Sequence, residues 1–327
     1  MIKRAVVTGD LLRPGMNLSF NIHVLSDLVG YQLAKALDVP VITLVPPDDF
    51  VTTKEEWVRS FDSSADCPHW YLDRILSTDF VVGFEMPIGM IRQLSTLGIP
   101  FVDVRVDSIR YMDDVIYGVR SFGCNAVQGI SEDALYIHAG LMRARLRPFL
   151  DRTLAPNTGV IIGQSTDDYS LIRDTGFVKL SMYEERIRQV VREHSHLYFL
   201  PHPYDPQIEY QQTLEAMGVV VADNAGKNAY YWLAHPNVSC VYGICSGVLY
   251  EAKYFGKRAE FFSDNSMFLG HTPVTIQRFL SFGMWKEILA GLHTCQEIPE
   301  IWLPDKPNRI RQIHHAWWGY DNIEAIK

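Results

Sequence analysis

Residues 163–170, Gly163-Gln164-Ser165-Thr166-Asp167-Asp168-Tyr169-Ser170, follow the apolar run Gly159-Val160-Ile161-Ile162 and bring an amide, two adjacent carboxylates and several hydroxyls to one strand exit. A carboxylate at such a place can attack an electrophilic carbon, take a proton, or close an Asx-type turn. Neighbouring acids on a strand-like backbone point opposite ways, so one of Asp167 and Asp168 faces a given cleft and the other does not. Two further polar strand ends follow. Phe199-Leu200-Pro201-His202-Pro203-Tyr204-Asp205 fixes His202 between prolines, and Gly243-Ile244-Cys245-Ser246-Gly247 leads through small residues into a helical stretch carrying Glu251. A Ser hydroxyl and free N–H groups at a helix start make a phosphate seat, to which His202 can also donate. Ser246 is equally suited to capping its helix, and Glu251 to standing exposed or bonding a ligand hydroxyl.

These three ends need a sheet to align them. Short apolar runs alternate with segments of helical period, the pattern of α/β layers with mostly parallel strands. Strands are expected at about 5–7, 41–44, 80–84, 101–106, 160–162, 197–200, 219–222, 239–242 and 259–262. They fall into two groups around the polar, Pro- and Gly-containing segment 151–159, which reads as a linker. The expectation is an α/β protein of two Rossmann-like lobes: residues 1–150, residues 151–303, and a tail 304–327 that crosses back to the first lobe. Ligands of such folds bind at the carboxyl ends of the strands, so the cleft lies between the lobes. Asp113-Asp114 resembles a metal-binding pair, but its context, Tyr111 to Tyr117, reads as a helix start with acids at the positive dipole end.

A chain of 327 residues with formal net charge −8 has no basic field for nucleic acid. Five scattered cysteines without a CxxC pair point to reduced thiols rather than disulfides or zinc, and no stretch has the length or flanks of a signal peptide or membrane span. A cytoplasmic protein is expected. The segment Asn308–Trp318 mixes basic residues with indoles, suited either to a peripheral seat on the inner membrane or to packing on the protein body. GxGxxG and Walker patterns are absent.

The order of the three strand ends resembles the CMP-β-Kdo-dependent Kdo transferases of bacterial capsule and lipopolysaccharide synthesis, and more distantly bacterial sialyl- and polysialyltransferases. These have GT-B architecture, a Q-x-x-x-D-x-S loop, an HP motif, and a Ser turn leading to Phe-Glu-Ala. Gln164 to Ser170, His202-Pro203, and Ser246 with Tyr250-Glu251-Ala252 match in order and spacing over roughly residues 158–263. The resemblance implies that Gln164, His202, Pro203, Ser246, Gly247 and Glu251 bind the nucleotide and phosphate. It also implies that Asp168 is the nucleophile of a retaining reaction, and that Arg110, late in the turn after Phe101–Val106, holds the sugar carboxylate. Where the family has an acid earlier in that turn, this chain has Arg105. A base for the acceptor hydroxyl is sought at the first lobe's strand ends: Glu85 first, with Asp107 and His23 comparable.

The donor implied is a CMP-activated sugar, the acceptor a glycan or lipid-linked glycan, with no separate cofactor and no required metal. Other polysaccharide-assembly enzymes are expected as neighbours. Two alternatives remain: a GT-B-like transferase using a UDP- or GDP-hexose or a pyruvyl donor, and a non-catalytic carbohydrate-binding protein.

Overall fold

The computed structural model describes residues 2–14, 17–47, 49–61, 69–173, 176–223, 228–263 and 270–292. In the first lobe, β1 (Arg4–Gly9) and β3 (Asp79–Phe84) are almost continuously apolar and buried, as strands covered on both faces must be. With β2 (Val41–Thr43), β4 (Phe101–Val106), β5 (Ile116–Phe122) and β13 (Thr272–Thr275) they form a six-stranded sheet in the order β13-β5-β4-β3-β1-β2. The strands β2, β1, β3 and β4 run parallel; β5 is antiparallel to β4, and β13 to β5.

The second sheet is parallel throughout. Its order is β10 (Val220–Val221), β9 (His196–Leu200), β6 (Thr158–Ile162), β11 (Val238–Gly243), β12 (Arg258–Phe261). A short antiparallel ribbon, β7 (Ile172–Arg173) with β8 (Gly176–Phe177), follows the loop that leaves β6. The order of the second sheet is the 3-2-1-4-5 of a Rossmann half, while the first sheet begins 2-1-3-4. Strand order reverses direction at β1/β3 in one lobe and at β6/β11 in the other. Those are the two places where side-by-side loops diverge and leave a crevice.

The chain changes lobes earlier than the linker reading placed it. Helix α5 (Glu132–Leu146) already packs on the second lobe, against α8 (Ala229–Ala234) and the turn Ala252–Phe255, so the crossing falls at 123–131 and not at 151. The chain is already back on the first lobe at β13: β13 covers the edge of β5, and α11 (Phe282–Leu289) lies on α1 (Asn17–Leu37), where Gln32 Nε2 donates to Leu280 O at 2.9 Å. An otherwise bare edge of β5 gives the physical reason for the return. Residues 304–327, with the Asn308–Trp318 segment, lie outside the described residues.

The expected helix start at Tyr111–Tyr117 is instead a loop entering β5, whose residues pair with β4 from Val106↔Tyr117 to Phe101↔Phe122. Asp114 is buried and accepts the Val115 N–H, while Asp113 is exposed. The lobes meet where Leu12, Trp57, Val58 and Phe61 of the first pack with Ile172, Tyr169 and Phe177 of the second. Among the described residues no helix is long and apolar enough to cross a membrane.

Candidate active site

The loop 163–170 leaves β6 pressed against the exit of β9. A Cβ on Gly163 would stand 2.8 Å from His202 N and 2.9 Å from Leu200 O, both backbone atoms, so only glycine allows the approach. The first and last members of the loop then clamp each other: Gln164 Nε2 donates to Ser170 Oγ at 2.7 Å, and Gln164 Oε1 accepts from Cys245 N and Sγ, each at 3.3 Å. Gln164 is buried, with its Oε1 and one N–H of its Nε2 engaged inside the protein. It shapes the loop and ties it to the β11 exit.

The two adjacent acids diverge as their backbone demands. Asp167 is exposed and takes Lys54 Nζ of the first lobe at 2.6 Å. Asp168 is half-buried; its Oδ1 accepts the Ser170 N–H at 2.8 Å, an Asx-type cap of the short turn Tyr169–Leu171. Its second oxygen has no hydrogen-bond partner among the described residues. Both the capping role and an available oxygen therefore coexist in Asp168.

His202 lies close enough to Asp168 to feel its charge. Tyr204 N donates to its Nδ1 at 3.3 Å, which leaves the proton on Nε2, and that N–H has no partner among the described residues. Burial lowers its pKa, opposed by the charges of Asp168 and Asp205 and assisted by Arg110, so at neutral pH it is an uncharged donor. Asp205 Oδ2 accepts from Thr166 N and Oγ1, both at 2.7 Å, and so joins the His202 turn to the loop. Sequence reasoning missed Asp205; its place at the end of the His-Pro-Tyr-Asp turn was the available signal.

At the β11 exit Ser246 precedes α9 (Gly247–Glu251) without capping it, and its hydroxyl is without a partner among the described residues. Gly247 lies against the first lobe, its Cβ position 3.4 Å from Ser108 Cβ, and Pro203 is exposed.

Glu251 departs from expectation. It is 1% exposed, its Oε1 accepts Arg110 N at 2.6 Å, and Tyr230 OH donates to both its oxygens at 3.1 Å. A group so enclosed cannot meet a ligand hydroxyl. It fastens the first lobe's 107–111 turn to the second lobe. Arg110 itself is half-buried, its guanidinium close enough to Glu251, Asp107 and His202 to act on all three.

Across the crevice, the ends of β1 and β3 carry a charged nest. Glu85 sits just past β3 with φ +50, a left-handed conformation that costs a non-glycine residue about 1 kcal/mol or more. Glu85 N donates to Val104 O and Met86 N to Asp103 Oδ1, so β4 holds this turn in place. Arg13 Nη2 donates to Glu85 Oε2 at 2.8 Å, and Arg13 Nε lies 3.4 Å from Asp10 Oδ2. The same guanidinium lies over the rings of Trp57 and of Tyr169 from the opposite lobe, at 5.5 and 5.0 Å. Asp10 is buried, accepts Trp57 Nε1 at 2.9 Å, and has its pKa raised by that burial.

Asp10, Arg13, Trp57 and Tyr169 were not singled out from sequence, although Thr8-Gly9-Asp10 after the first strand is the same kind of signal as the loop at 163. Of the alternatives to Glu85, Asp107 is buried and accepts Ile109 N, and His23 is exposed on α1.

A cavity of about 890 Å³ opens on the Asp167 side of the loop, lined in part by Lys54, Thr166, Phe177, Asp205 and Tyr210. Asp168, His202 and Ser246 do not line it. Its size suits a ligand of several rings, and the Tyr210 hydroxyl on its wall has no hydrogen-bond partner among the described residues.

The chain is an α/β protein of two Rossmann-like lobes, with the ends of β1 and β3 in the first facing the loop that leaves β6 in the second. No protein-family model matches the chain, and no curated protein does. Solved structures with some likeness include KpsC of Thermosulfurimonas dismutans, described as a beta Kdo 2,7 transferase (11% identity, TM-score 0.40, covering 79% of this chain and 78% of that one). The same organism's KpsC beta Kdo 2,4 transferase gives 13% identity and TM-score 0.39, with 79% of each chain covered. A dipicolinate synthase chain from Bacillus halodurans gives 9% identity and TM-score 0.21, over 89% and 96%. At such values the likenesses bear no weight, and the fold assignment rests on the two sheets themselves.

Proposed function

We propose that this chain is a retaining glycosyltransferase that takes Kdo from CMP-β-Kdo and adds it to a bacterial surface glycan or its lipid-linked precursor. The observation that carries the reading is the division of labour in the motif residues. Gln164, Ser170, Asp167 and Glu251 are engaged within the protein, while Asp168, His202 and Ser246 keep an oxygen, an N–H and a hydroxyl available. These belong to the exits of the neighbouring strands β9, β6 and β11, the last two of which flank the second lobe's switch point.

A CMP-linked keto-sugar carries an activated leaving group, so phosphate departure needs dipolar stabilisation more than an acid. Neutral His202, the Ser246 hydroxyl and the N–H groups that follow it supply this. Asp168 then closes on the anomeric carbon as phosphate leaves, the covalent sugar ester forms, and an acceptor hydroxyl displaces the carboxylate to restore the configuration. Glu85, held by Arg13, takes the acceptor's proton. Arg110 holds the sugar carboxylate. The resemblance of the motif order to Kdo transferases supports the choice of donor.

Ligand-induced stabilisation tests this directly, since a ligand bound only to the folded state raises the unfolding temperature. CMP is expected to stabilise the chain more than UDP or GDP. His202→Ala is expected to weaken CMP binding roughly tenfold or more, the worth of a hydrogen bond to a charged phosphate. Preferential stabilisation by UDP or GDP would transfer the reading to another nucleotide-sugar donor. CMP binding without CMP release from any activated sugar would identify a non-catalytic binder.

A further inference from the structure

At the amino ends of β11 and β12, a sheet's length from the β6/β11 crevice, lies a second cavity of about 770 Å³. Its walls come from the C-terminal turn of α5, the segment 147–152, the end of α8 and the residues entering β12. Arg143, Arg147, Arg152 and Lys257 line it, against a single carboxylate, Asp151, whose Oδ1 is occupied by Thr153 N and Oγ1.

None of the four cations forms an ion pair among the described residues. Many other basic side chains do so: Arg4 with Asp79, Arg186 with Glu260, Lys253 with Glu132, Arg278 with Glu287. In a chain of net charge −8, four cations without carboxylate partners around one recess are a local reversal of sign.

Lys257 is the telling member. It is half-buried, and its ammonium donates to His235 O at 2.6 Å and Val238 O at 2.8 Å, carbonyls that hold it in the wall. Burial and the neighbouring Arg143 charge lower its pKa to about 8. His235, beside it, is engaged at both ring nitrogens, by Asp151 O and by Asn237 N.

Helix polarity explains part of the cluster, because cations favour a helix C-terminus and Arg143 stands in the last turn of α5. It does not explain Arg152 or Lys257, which belong to other segments. An uncompensated, partly buried ammonium facing guanidiniums is favourable once an anion enters between them.

We propose that this cavity binds a ligand bearing two or more oxyanion groups, phosphate or carboxylate, at a site separate from the interlobe crevice. The forked guanidiniums of Arg143, Arg147 and Arg152 grip its oxygens, and the Lys257 ammonium supplies the innermost charge. The volume accommodates a diphosphate with an attached ring, or two acidic sugar units. The site stands on its own residues and does not depend on the reaction proposed above.

Isothermal titration at fixed ionic strength tests the site, with inorganic pyrophosphate and citrate as the phosphate and carboxylate probes. Arg147→Gln with Arg152→Gln removes two exposed guanidiniums that make no hydrogen bond among the described residues, so folding is unaffected. In a chain already carrying His202→Ala, which removes a donor of the proposed crevice phosphate seat, the double variant is expected to raise the probe's Kd about tenfold or more. The probe that binds more tightly identifies the ligand's charged groups. Absence of saturable binding for both probes, or binding that survives the double variant, overturns the site.

Discussion

Asp168→Asn is expected to lower CMP release from CMP-Kdo by roughly 10⁴-fold, whereas Asp167→Asn leaves it within about twofold. The difference follows from geometry. Asp168 has one oxygen on Ser170 N and another available, while Asp167 points to solvent and to Lys54. The amide retains the cap, because its oxygen still accepts the Ser170 N–H, so the loop is preserved and the loss reports chemistry.

The exposed Lys54–Asp167 pair is worth at most about 1 kcal/mol, too little for its removal to mimic that effect. Asp168→Cys adds a direct readout: mass spectrometry after incubation with CMP-Kdo is expected to show the protein carrying one sugar. Normal turnover by the asparagine variant would remove Asp168 from the mechanism, and loss confined to Asp167→Asn would reverse the register.

Glu251→Gln is expected to make the protein more stable at alkaline pH. Burial raises the Glu251 pKa from 4.5 to about 8 against the opposing effect of its donors, Arg110 N foremost. Between those values the folded chain keeps a proton that the unfolded chain has released. Stability therefore falls as pH rises through that window, by up to about 5 kcal/mol, and levels off above pH 8.

Glutamine fills the same space, accepts Arg110 N–H and Tyr230 O–H and does not ionise, so this contribution to the pH dependence disappears and its unfolding free energy exceeds that of the parent near pH 8.5. Near pH 4.5 the two converge. Glu251→Ala is expected to lose about 2 to 4 kcal/mol throughout, because Arg110 N and Tyr230 OH are left without their buried acceptor. Urea titrations at a series of pH values distinguish the outcomes. A glutamine variant less stable than the parent at pH 8.5 would show that the carboxylate is the working form.

Much of the two sheets was legible because buried parallel strands announce themselves as apolar runs: β1, β3, β4, β6, β9 and β11 fall within a residue or two of their expected places. The marginal strands β2, β10 and β12 fall as close, and in these sheets it is the antiparallel pair β5 and β13 that the expected strands omit. β5 begins after Asp113-Asp114, which imitates a helix start, and β13 contains only four residues with a proline among them.

Within the site, residue types could be read but not their allegiance. Gln164 looked like a ligand donor because its partners, Ser170 and Cys245, lie 6 and 81 positions away. Glu251 meets Arg110 across 141 positions, and Arg13 meets Glu85 across 72. Asp168 could be preferred to Asp167 only by analogy until Lys54, 113 positions distant, was seen to claim the other acid.

The double exchange of chain between the lobes has an evolutionary corollary. A gene fragment encoding residues 1–150 would carry a helix whose partners are missing and a sheet margin of naked amides, inviting aggregation. Neither half is thus a transplantable cassette. Grafting a foreign donor-binding half onto this first lobe would require bringing residues 270–292 along, so specificity is more readily altered by loop substitution than by recombination at the middle of the gene.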